Sequence, residues 1–71
     1  MQSFQEVIKA FGVADLAADL NVAANTVKQW HTRDKIPDEH WLAVAEAAKR
    51  RGIRGVTPST LAALSAAKKA A

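Results

Sequence analysis

The sequence predicts an all-α fold, a compact arrangement of five short helices, and three observations carry that prediction. Apolar residues recur at i, i+3, i+4 and i+7 in successive blocks, helix-start and helix-stop residues punctuate those blocks, and neither sustained alternation nor a hairpin dipeptide offers a strand. A chain of 71 residues has room for one hydrophobic core and one surface site. Residues 1–71 are therefore expected to form one domain, with its core over about residues 3–66 and a frayed C-terminal tail.

The first helix starts at Ser3, which forms a capping box with Glu6, and its inward stripe is Phe4, Val7, Ile8 and Phe11. Gly12 ends it. Val13, Leu16, Ala17 and Leu20 repeat the spacing in a second helix, with Asp15 in the first turn complementing the dipole and Asn21, able to adopt left-handed backbone, as the stop. Val22 is apolar inside a tight turn, which requires that turn to pack against something. A third helix runs from about Ala23 to Arg33. At roughly 100° per residue, Val27, Trp30 and Ala23 fall on one side of it, and Asn25, Lys28, Gln29 and Thr32 on the other.

"DKIPDEHW" reads as a loop into the fourth helix, with Pro37 suited to a first helical position and Asp38 and Glu39 at the positive end of the dipole. Trp41, Val44, Ala45 and Ala48 are its predicted buried stripe, and "KRRG" closes it at Gly52. The last helix opens at "TPST", with Thr57 as cap and Pro58 as first residue, carries Leu61 and Leu64, and fades into "SAAKKAA".

Composition narrows the function. With no Cys there is neither a disulfide framework nor a thiolate metal site, which fits a reducing cytoplasm. The opening "MQSFQEVIKAFG" is amphipathic rather than signal-like, and no stretch approaches membrane-spanning length, so a soluble, cytoplasmic protein that stays where it is made is expected. The net charge of +3 is unevenly spread. Residues 1–27 hold Lys9 against Glu6, Asp15 and Asp19, whereas residues 28–71 hold nine cations against Asp34, Asp38, Glu39 and Glu46. Positive charge begins at the third helix, which favours an anionic partner. An enzyme is not expected: His31 and His40 lack converging metal or catalytic partners, the serines lack a base, and no Gly-rich phosphate loop exists, so no cofactor and no metal is predicted.

A short helix, a tight turn and a second helix with a polar outer flank is the arrangement that lays one helix into the major groove of DNA. "LAADLNVAANTVKQW" resembles the helix-turn-helix of the phage repressor and Cro-like superfamily, of the lambda repressor-like fold. Ala17 matches the small residue where the two helices touch, Leu20, Val22 and Val27 match core positions, and Trp30 matches the last apolar anchor. From about Phe11 to Leu64 the chain is also similar to the carph-isopro branch, in which an Ile-Pro pair opens the next helix. Two positions depart from the pattern. Asn21 stands where the family usually has Gly, and Ala23 stands where Ser or Thr caps the recognition helix.

The resemblance implies a sequence-specific transcriptional regulator that binds double-stranded DNA, a repressor of bacterial or phage type. Side-chain amides match the N6 and N7 edge of adenine, so Asn25 and Gln29 are expected to read bases, with Lys28 between them and Ala24 and Thr32 as small contacts. Thr26, Arg33 and Lys35 are expected at phosphates. Lys49, Arg50, Arg51 and Arg54 read equally as a second DNA patch or as cations favoured at a helix C-terminus, and Lys68 and Lys69 as weak attraction from the tail. One such domain covers few base pairs, so a homodimer is expected, with Ile53, Val56, Leu61 and Leu64 as its contact or as completion of the core. RNA polymerase is a further candidate partner. The rival readings are a DNA-architectural or recombination accessory factor and, from another class, a helical protein-interaction adaptor.

Overall fold

The structure, a computed structural model, describes residues 2–70. Its elements in chain order are α1 (Phe4–Phe11), α2 (Val13–Leu20), α3 (Ala24–Arg33), a 3-10 turn (Asp38–His40), α4 (Trp41–Arg51) and α5 (Pro58–Ala70), with no strand among the described residues. Helix α3 packs against α1 and α2, and α4 packs against α2 and α5. Among the described residues, no helix is long and apolar enough to cross a membrane.

Most helix ends form where the sequence places them. Ser3 Oγ accepts the Glu6 N–H at 3.1 Å, but Glu6 Oε2 accepts from the Gln2 N–H at 3.0 Å, so the reciprocal half of the box closes one residue early. Asn21 is left-handed (φ 55, ψ 46), and the N–H groups of Asn21 and Val22 reach the carbonyls of Ala18 and Ala17 at 3.2 and 3.0 Å. That paired closure satisfies the orphan carbonyls of α2 and turns Val22 against the core. The same closure recurs at Asp34, also left-handed, whose N–H and that of Lys35 reach His31 and Trp30. Thr57 Oγ1 accepts the Thr60 N–H at 3.1 Å and starts α5.

The core joins Phe4, Val7, Ile8 and Phe11 of α1 to Leu16 and Ala17 of α2, Val27 and Trp30 of α3, and Val44, Ala47 and Ala48 of α4. Ile36 completes it from the connecting loop, fully buried. The carbonyl of Ile36 accepts the Trp41 indole N–H at 2.7 Å, and the His40 ring lies 5.0 Å from that of Trp30.

Three expectations are corrected. Helix α3 begins at Ala24, with Ala23 as an extended N-cap (φ −67, ψ 143) that has no side chain to offer. Pro37 does not start α4; it precedes the 3-10 turn, and α4 begins at Trp41. Within α4, Ala47 rather than Ala45 is buried, because packing against both α2 and α5 rotates the inward face towards it. Of the residues expected at a dimer contact or in completion of the core, Val56 and Leu61 are buried in the core and Ile53 and Leu64 are half-buried against it. Helix α5 runs to Ala70, and Lys68 Nζ donates to the carbonyls of Arg33 and Asp34. The lysine meets the negative end of the α3 dipole, a position that favours a cation.

Arg51 is also engaged. Its Nε and Nη2 donate to Asp19 Oδ2 and Oδ1 at 2.5 and 3.0 Å, and Nη1 lies 4.0 Å from Asp15 Oδ2. This two-pronged pair ties the end of α4 to the end of α2. The hydrogen bond from Arg51 holds the Asp19 carboxyl below the usual carboxylate range.

Two predictions follow from these local arrangements. Ala23→Ser supplies the missing cap and is expected to add about 1 kcal/mol of stability, about 4–8 °C in Tm for a domain this small; an unchanged melting curve contradicts the assigned helix start. Because the Asp19 pKa is lower folded than unfolded, its pair with Arg51 stabilises fully above the ordinary carboxylate range and is lost as pH falls through the folded value. Asp19→Asn is therefore expected to lower Tm at neutral pH and to flatten the acid limb of Tm against pH. Parallel acid limbs in the two proteins contradict the pairing.

Candidate nucleic-acid interface

Helix α3 is held by its inner side. Val27 is fully buried and Trp30 is 7% exposed, while Leu16, Ala17 and Phe11 of the neighbouring helices complete the surrounding core. Every residue expected to read bases, Ala24, Asn25, Lys28, Gln29 and Thr32, is exposed. The two amides, four residues apart, sit one above the other on one flank, about 6 Å along the axis.

Thr32 differs from its neighbours in what it presents. Its hydroxyl donates to the Lys28 carbonyl at 3.0 Å, so the proton is used inside the helix and the side chain offers outward its methyl group and an acceptor oxygen. Lys28, Arg33 and Lys35 are exposed. The ion pairs among the described residues, Arg51 with Asp15 and Asp19, and His40 with Glu39, do not involve them. Thr26 is half-buried at the start of α3.

The far end of α3 is fixed from two sides. Gln5 of α1 donates its backbone N–H to Asp34 Oδ1 at 3.0 Å and its side-chain Nε2 to the His31 carbonyl at 2.8 Å. Lys68 of α5 caps the next carbonyls, as described. Gln5 and Lys68 escaped the sequence analysis because their partners lie 26–35 positions away, and nothing in the local sequence marks either residue. Asp34, which stands three residues from His31, gives its carboxylate to Gln5, and among the described residues no group of three His, Cys, Asp or Glu gathers to hold a metal.

The remaining expected cations separate. Lys49, Arg50 and Arg54 are exposed, whereas Arg51, also exposed, is hydrogen-bonded to the Asp19 carboxylate of α2. Lys49 instead lines an apolar groove with Leu42, Ala45, Ile53 and Pro58. Leu42, at 64% exposure, is the most exposed large apolar side chain among the described residues.

One comparison with known proteins matches the chain. The sequence model of the bacteriophage CI repressor helix-turn-helix domain matches residues 5–53, which include α1 from Gln5 onward, all of α2, α3 and α4, and the half-buried Ile53. No curated protein and no solved structure matches the chain. The matched span is well over half of the sequence and contains every residue of the outward flank. The chain belongs to the phage CI repressor helix-turn-helix family, a family of regulators that bind double-stranded DNA.

Proposed function

We propose that the protein is a sequence-specific transcriptional regulator that occupies an operator or promoter and reads the major groove with α3. The observation that carries this is the exposure of Asn25, Lys28, Gln29 and Thr32 together on the flank opposite buried Val27 and Trp30, with Ala24 exposed at its margin. Asn25 and Gln29 each present a donor beside an acceptor, the complement of the adenine edge, and Lys28 reaches guanine acceptors or a phosphate. Thr32, its hydroxyl proton already used, suits the thymine methyl, as does Ala24. Arg33 and Lys35 contact phosphates, and Thr26 does so from the start of the helix.

Two copies act on paired half-sites, since one helix of this length covers too few base pairs for useful affinity. Leu61 is fully buried, and the groove lined by Leu42, Ile53 and Val56 supports a pairing surface. Glu46 and Lys49 on that groove carry opposite charges that a twofold contact brings together.

Selection of bound sequences from a random DNA pool is expected to enrich a motif with twofold symmetry. On that motif, Gln29→Ala is expected to lose discrimination at one base position by about 1–3 kcal/mol, while its binding to random DNA changes little. Equal loss on both DNAs contradicts the base-reading role, and an enriched motif without symmetry contradicts the paired arrangement.

A further inference from the structure

A cavity of about 360 Å³ opens beside the outward flank of α3. Trp30, Trp41 and Ile36 form its apolar walls. Gln29, Arg33, Lys35 and Asp38 reach it from α3 and the following connection, and Ser65 and Lys69 reach it from α5. Ser65 and Lys69 stand four residues apart and so share one helix face.

Adjacent lysines on α5 have different tasks. Lys68 donates to the carbonyls of Arg33 and Asp34 and fastens the last turn of α5 to the end of α3. Lys69, about 100° further round the helix, lines the cavity. Arg33, Lys35 and Lys69 bring three cations to this one concavity against the single carboxylate of Asp38. None of the three is in an ion pair among the described residues. Cations converging on a concave site with low-dielectric walls focus a positive field there, and the Ser65 hydroxyl nearby supplies a donor for oxygen ligands.

We propose that this cavity seats a backbone phosphodiester of the DNA that α3 engages, and that α5, through Lys69 and Ser65, is part of the DNA-binding surface. The inference rests on the reading of α3 as the base-reading helix. It gives α5 a role outside the matched family span, which ends at residue 53. The phosphate is held just beyond Gln29, so the clamp fixes how the helix lies along the groove without reading sequence. Asp38 at the same cavity opposes the anion and limits the strength of the clamp.

The test is a salt series on a short random-sequence duplex with wild type, Lys69→Ala, Asp38→Asn and Lys9→Ala, the last removing one positive charge from an exposed position on α1. Lys69→Ala is expected to reduce the slope of log K against log salt by about one. It is also expected to weaken random and selected duplexes by the same several-fold factor. Asp38→Asn is expected to tighten both, and Lys9→Ala to leave the slope unchanged. An unchanged slope in Lys69→Ala overturns the proposal, and so does an equal loss in Lys9→Ala, which would assign the effect to net charge. Inorganic phosphate titrated into DNA-free protein, read by Trp30 and Trp41 fluorescence against a sodium chloride control, distinguishes a duplex backbone from a free anion. No response beyond the control is expected, and saturable binding overturns the assignment. If Gln29→Ala loses discrimination while Lys69→Ala is silent, the clamp alone fails; if the wild type binds no duplex, the reading of α3 fails with it.

Discussion

The burial of Val27 and Trp30 is the constraint on which the rest of the molecule depends. A ten-residue helix has no independent stability in water, so α3 persists because these two side chains are enclosed by α1, α2, Ile36 and the aromatic residues that follow. Truncating a buried Trp costs on the order of 3–5 kcal/mol, against a total of about 4–11 kcal/mol for a domain of this size. The same enclosure dictates orientation. With the apolar side fixed inward, helical geometry leaves Asn25, Lys28, Gln29 and Thr32 no direction but outward.

Around that anchor, charge is divided between holding the fold and facing solvent. Arg51 neutralises Asp19 at the end of α2, where a carboxylate otherwise meets the negative end of the dipole, and Lys68 performs the corresponding service at the end of α3. The positive balance of residues 28–71 therefore overstates what is available to a partner. What remains near α3 is Lys28, Arg33, Lys35 and Lys69, on the flank or at its margin. The engaged cations fasten the ends of α2 and α3, and the unengaged ones give the α3 flank its positive field.

The helices and most of their ends were legible in the sequence because they depend on neighbours within a few residues. Ser3, Asn21, Gly52 and Thr57 act through local backbone geometry, and the i, i+3, i+4 stripes of α1 to α3 are periodic. The exposed amide flank was legible for the same reason. What escaped depends on distant partners: the Gln5 link to Asp34 and His31, the Arg51 pair with Asp19, and the Lys68 cap join residues 26 to 35 positions apart. The 3-10 turn at Asp38–His40 was missed because Pro37 carries the mark of a helix start, while tertiary packing of Ile36 and Trp41 postpones the α-helix to residue 41. The burial of Val56 and Leu61 could not be read from spacing alone, since an isolated apolar side chain serves a core or a partner equally well.

The most direct measurement is a titration of short duplex DNA into isotopically labelled protein, followed by backbone and side-chain amide resonances. The account predicts the largest shifts at Ala24, Asn25, Lys28, Gln29 and Thr32, including the side-chain amides of Asn25 and Gln29. Shifts confined to the groove around Leu42 and Ile53, with the α3 flank silent, would contradict it.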